Sequence, residues 1–340
     1  MEKKSKACVL GLATALLMAG TLAASAQAPA ADYFAGKTVR MVIGFGPGGG
    51  YDRWARIVAQ HIGNHLPGKP TVVSQNMPGA GSYVAAAFIY NTAPKDGTVF
   101  GLIARDAPMG PLTGQQGANF DPIKLTWLGS PTKETNVCIS YKTAKVKTAE
   151  DLLKQELIMG DTGPGTGTHS YPKALNGLLG TKFKLVGGYP SSSDVFLAME
   201  RGEVEGICES LDSVINKRPD WINNKTVNVI LQSGTQRTLK DVPLVSELAK
   251  TDEQKSAITF LYAGQDIGRP FIAPPGLQPA VEKMLRDGFA ATMKDPAFIA
   301  EAKKSNLDVE PVSGPDLEKL IKNIYATPKP MIAKIGELIK

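Results

Sequence analysis

Histidine and cysteine are scarce, with three of each in 340 residues. Only His61 and His65 have a spacing that could hold a metal, four apart in a helix-period segment. They stand at the edge of an apolar stripe with no obvious third ligand, so packing is their expected role and no metal is expected. Runs of like charge are missing too. No Lys/Arg stretch exceeds two residues, and a formal charge of +6 spread over the chain argues against nucleic acid while suiting an anionic small ligand. Past the N-terminus no stretch approaches 18 apolar residues, which leaves nothing to span a membrane. Catalytic signatures are thin. There is no Gly-x-Ser-x-Gly elbow, and Ser170-Tyr171-Pro172-Lys173 has Pro172 inside a Ser-x-x-Lys pattern without Lys-Thr-Gly or Ser-Asp-Asn partners.

The remainder is an ordinary globular composition, 43% hydrophobic and 21% charged, behind a distinct leader. Lys3, Lys4 and Lys6 precede an apolar run from Ala7 to Leu22, closed by Ala24-Ser25-Ala26. That reads as a secretory signal peptide over residues 1–26, cleaved after Ala26, and it implies export. Removing it also removes Cys8. Cys138 and Cys208 then remain, in an oxidising compartment where they form either a disulfide or two buried thiols.

From Thr38 onward short apolar runs alternate with helix-period segments. Thr38 to Phe45 reads as a strand, Gly46-Pro47-Gly48-Gly49-Gly50 as a loop, and Trp54, Ile57, Val58 and Ile62 as one helix stripe. The same grammar restarts after Asn136. Repeated βα units predict two α/β lobes, each a mostly parallel sheet flanked by helices. The expected division is domain 1 over 27–140, domain 2 over 141–264, and a return to domain 1 over 265–340, whose closing helices run around Pro296 to Ser305 and Asp316 to Ile335.

Two glycine loops sit between a strand and a helix, where unpaired helix-start amides face an anion. The first, Gly44 to Asp52, also satisfies G-x-G-x-x-G, but Val73-Ser74-Gln75-Asn76 stands where that pattern expects an acidic residue, so no dinucleotide and no cofactor is expected. Asp52 reads as a cap of the first helical turn. The second loop, Gly163 to Ser170, adds the hydroxyls of Thr166, Thr168 and Ser170, with His169 as a further donor. Tyr51 and Arg105 are candidate side-chain contacts. Arg105 has the alternative of an exposed pair with Asp106, and Glu209 or Asp212 could accept a ligand hydroxyl or ammonium.

The ordered segments Phe45 to Arg56, Asn76-Met77-Pro78-Gly79-Ala80-Gly81-Ser82, Pro94 to Thr98, Gly163 to His169, Gly187 to Pro190, Arg201 to Val204, Asp241 to Leu244 and Ala273 to Gly276 together resemble the Bug-type substrate-binding proteins of tripartite tricarboxylate transporters. The resemblance implies a periplasmic, two-lobed Venus-flytrap protein, a monomer and not an enzyme, that hands a small carboxylate to membrane transporter subunits. It implies ligand contacts at Gly48, Gly49, Gly50 and Tyr51 and at Gly165, Thr166 and Thr168, with Gly79 beside them. Tyr51 stands where the family commonly has a small residue, which raises an aromatic carboxylate stacked on its ring as an alternative to the usual dicarboxylate. An exported hydrolase or lyase acting on a carboxylate, or a partner of a periplasmic sensor, are the other readings.

Overall fold

The computed structural model describes residues 31–234 and 237–339; the leader falls outside them. Eleven strands among these residues form two sheets. The first contains β1 (Thr38–Ile43), β2 (Thr71–Asn76), β3 (Val99–Leu102), β4 (Thr126–Ser130), β10 (Phe271–Ala273) and β11 (Val312–Ser313), in the order β11-β4-β10-β3-β1-β2. The second contains β5 (Asn136–Tyr141), β6 (Leu157–Gly160), β7 (Phe183–Val186), β8 (Gly206–Ser210) and β9 (Val227–Gln232), in the order β7-β6-β8-β5-β9. Helices flank both, giving the expected two-lobed α/β architecture.

The sheets are mixed where mostly parallel ones were expected. β1 runs parallel to β2 and β3, and β6 parallel to β7 and β8, as βα units require. β10 is antiparallel to β3 and β4, and β5 to β8 and β9. The reason is the path of the chain. A strand of a βα unit ends at the cleft, whereas β5 and β10 enter their lobes from the other lobe and therefore start there.

Two crossing segments, near residues 131–135 and 264–270, are bonded to each other. Glu134 N–H donates to Gln265 O at 3.1 Å and Arg269 N–H to Ser130 Oγ at 2.8 Å. Gly268 is required here: its φ is +68°, and a Cβ would overlap Thr132 O. The closing helices also differ from expectation. Thr327-Pro328 splits the run expected at Asp316 to Ile335 into Gly314–Tyr325 and Lys329–Ile339. The first packs on β4, but the last lies on helix Gly167–Leu179 of the second sheet, with Leu338 against Gly177.

Helix Gly50–Ile62 buries Trp54, Ile57, Val58 and Ile62 against the first sheet, as its 3.6-residue stripe dictates. His61 near its end and His65 in the turn that follows pair with Glu301 of helix Pro296–Lys304 at 2.6 Å and with Asp295, the N-cap of that helix, at 2.8 Å. A packing role for both is thereby accounted for. Cys138 and Cys208 face each other across β5 and β8 and are joined in a disulfide, the first of the two alternatives.

Candidate functional site

The parallel strands β1, β3 and β6 and the neighbouring β8 all end at the cleft, where open α/β sheets bind ligands. There the helices Gly50–Ile62, Gly167–Leu179 and Ser192–Arg201 all begin on one cavity. The N-caps Gly49, Thr166 and Ser191, together with the first-turn residues behind them, form much of its wall. First-turn amides have no partner inside a helix, and each helix start carries roughly half a positive charge. Three such starts converging on one space make an anion site from backbone alone.

The lobes are in contact across this cavity. Ser193 Oγ donates to Gly48 O at 3.0 Å, and a Cβ on Gly81 would overlap Pro164 O of the opposite lobe. Gly165, at φ +84°, lets that loop pass under the Tyr83 ring, which any Cβ would strike. The space left between the lobes is narrow and partly open to solvent.

Side-chain charge comes from a triad that sequence reading did not find. Glu134 accepts from Arg105 Nη1 at 2.6 Å and, through its other oxygen, from Arg269 Nε. All three side chains are almost fully buried, the two guanidinium groups line the cavity, and Arg269 Nη2 donates to Ser213 Oγ of the second lobe at 3.1 Å. One carboxylate thus serves two guanidinium ions. Burial pushes the nearby Asp106 carboxyl up, although Arg105 and the Tyr171 hydroxyl at 2.7 Å oppose this. Arg105 is therefore not the exposed partner of Asp106, whose carboxylate is 3.9 Å away.

Tyr51 closes the cavity without offering a platform. Its ring stacks on Phe45 at 4.3 Å between centroids, and the Arg269 guanidinium lies 4.1 Å from the same centroid. Two planar groups that close must take opposite faces, which leaves neither for an aromatic ligand. The stacked aromatic carboxylate suggested by sequence is thus displaced by the protein's own groups. The Tyr51 hydroxyl accepts from Arg105 N–H at 3.1 Å, and burial raises its pKa against the pull of both arginines, so it stays a neutral donor.

Of the other residues singled out by sequence, Gly49, Gly50, Thr166 and Thr168 line this cavity with Tyr51 and Arg105, while Gly48, Gly79, Gly165, His169 and Ser170 do not. Gly48 N–H is already engaged, donating to Asp52 Oδ2 at 2.8 Å. Asp52 stands in the first helical turn, as expected, but it caps no helix amide and instead reaches back past the N-cap Gly49 to the loop. His169 Nδ1 lies 3.2 Å from Asp161 Oδ2. Gly165 and Ser170 face a separate small space beside Tyr83 and Tyr171. The hydroxyls of Thr162, Thr166 and Thr168 bond one another at 2.8 to 3.2 Å, and Thr166 also donates to Gly163 O. Among the described residues no cluster of His, Cys, Asp and Glu could hold a metal ion.

A profile described as "Tripartite tricarboxylate transporter family receptor" matches residues 54–337. The chain belongs to that family. This receptor is 24% identical over 348 residues to a Cupriavidus necator protein described as "UPF0065 protein in gbd 5'region", covering 99% of this chain and 98% of that one. Its fold is that of the periplasmic binding protein BugD (TM-score 0.69, 20% identity, 88% of this chain and 96% of that one). MatC from Rhodopseudomonas palustris, solved with bound malate, is equally similar in fold (TM-score 0.69, 17% identity, 89% and 99%). The Bug-type resemblance of the sequence motifs and the receptor's fold therefore agree.

Proposed function

We propose that this receptor is an exported, monomeric solute-binding protein of the periplasm, freed of its leader after Ala26. It captures a small carboxylate between the loops around Gly49 and Thr166 and delivers it to the membrane subunits of a tripartite transporter. The observation that carries this reading is the convergence of three helix N-termini and two buried arginines on one cavity between the lobes. A carboxylate there touches both lobes only when they are closed, so it shifts the population toward closure. The arrangement favours capture over hydrolysis, because the three threonine hydroxyls bond one another and a carbonyl instead of a base.

The test is thermal unfolding of the chain from Gln27 with and without carboxylates. A ligand at 1,000 times its Kd stabilises the folded state by about 4 kcal/mol. In Gly50→Ala the new Cβ would overlap Ser213 Oγ of the second lobe and crowd Arg269 Nη2 at 3.0 Å, which obstructs closure but not folding. The unliganded melting temperature is expected to hold while the carboxylate shift disappears. An undiminished shift in Gly50→Ala, or a shift with NAD alone, would refute the assignment.

A further inference from the structure

The cavity has one donor-rich wall and one acceptor, and this asymmetry, together with its size, describes the ligand more closely. First-turn amides and guanidinium groups form the donor wall. Opposite in character is Glu209, only 7% exposed yet part of the lining. Its Oε1 accepts from Ser210 N–H at 2.6 Å, and among the described residues its other oxygen has no hydrogen-bond partner. That oxygen stays open to the cavity, so a ligand seated there can donate a hydrogen bond to it in place of water.

That donor is a hydroxyl. An ammonium group would enter a space bordered by Arg105, Arg269 and three positive helix ends, which disfavour a cation. A second carboxylate would have no donor to offer and would face Glu209 with the same sign. Size points the same way. The narrow space left between the closed lobes disfavours a second carboxylate farther along the skeleton. Tyr51 is the wall that stops it, held by Phe45, by the Arg269 guanidinium and by the Arg105 amide.

We infer that the receptor takes a short 2-hydroxymonocarboxylate of two or three carbons, its carboxylate on the helix N-termini and its hydroxyl on Glu209, with Tyr51 setting the length limit. This rests on the carboxylate-capture reading above and narrows it. The test is titration calorimetry of the chain from Gln27 with glycolate, lactate, propionate, alanine and malate. Glycolate or lactate is expected to bind at least tenfold more tightly than propionate, alanine or malate. Tyr51→Ala is expected to strengthen malate binding at least tenfold, and Glu209→Gln to narrow the gap between malate and lactate by removing the repelling charge. Should Tyr51→Ala fail to fold, the wild-type panel and Glu209→Gln decide. Malate or propionate equalling lactate in the wild type would overturn the inference and leave carboxylate capture standing. Binding of none of the carboxylates would overturn both.

Discussion

Replacing Glu134 with alanine tests whether the buried triad is a structural unit. Its side chain is fully buried, and Arg105 and Arg269 expose 3% and 1% of theirs. Both carboxylate oxygens are engaged, so Glu134→Ala strands two almost wholly buried guanidinium ions at the wall of the cavity. Removing one partner of a buried pair costs about 3–5 kcal/mol. Because the two pairs share one carboxylate, their losses overlap and do not add. Against a total stability of roughly 5–15 kcal/mol the change is large, and for a chain of this length it corresponds to a fall in Tm of roughly 5–8 °C. Urea unfolding followed by tryptophan fluorescence measures it directly. A second signature separates charge from lost packing: chloride or acetate should stabilise Glu134→Ala more than the wild type, since an anion replaces the missing carboxylate. A loss below 1 kcal/mol, or an identical response to added anion, would refute the reasoning.

The disulfide closes a stretch of 70 residues, for which chain entropy assigns about 4 kcal/mol. Replacing both Cys138 and Cys208 with alanine should lower the urea midpoint accordingly, and coincident midpoints with and without reductant in the wild type would contradict it. Asp212 gives a pH dependence. Burial, reinforced by the Glu134 charge and opposed by Arg269, pushes its carboxyl to about 7. The folded chain then keeps a proton that the unfolded chain has released, so this contribution is fully present below about pH 4 and is lost as pH rises to about 7. Asp212→Asn should flatten the stability profile across that window; parallel profiles for mutant and wild type would argue against it.

The elements that sequence located best are those whose period is strong. The strand before the first glycine loop, the stripe Trp54-Ile57-Val58-Ile62 and the strands at 136–141 and 157–160 stand close to where alternation placed them. β4 went unseen because Trp127 and Leu128 are its only large apolar residues, too short a run to separate from a loop. The cleft divided in the same way. Gly49, Gly50, Thr166 and Thr168 were visible because glycine loops before helices have a local signature. Arg269 and Glu134 were not, since each is a lone charged residue in a crossing segment without periodicity. Gly48 was legible as part of a loop, but the engagement of its N–H by Asp52 depends on a side-chain rotamer.

Sequence alone determined what local spacing can encode: a basic and apolar N-terminal pattern, two α/β lobes, and two glycine loops at strand–helix junctions. Each is a property of neighbouring residues, written in hydrophobic period and in the placement of glycine. Only the tertiary structure decided the direction of β5 and β10, the pairing of Cys138 with Cys208, and the convergence of three helix starts on one cavity. It also turned Tyr51 from a possible platform into a wall by covering both ring faces. Those outcomes depend on groups tens to hundreds of residues apart meeting in space, and the energies that select them, close packing and the pairing of buried charge, exist only once the chain has folded.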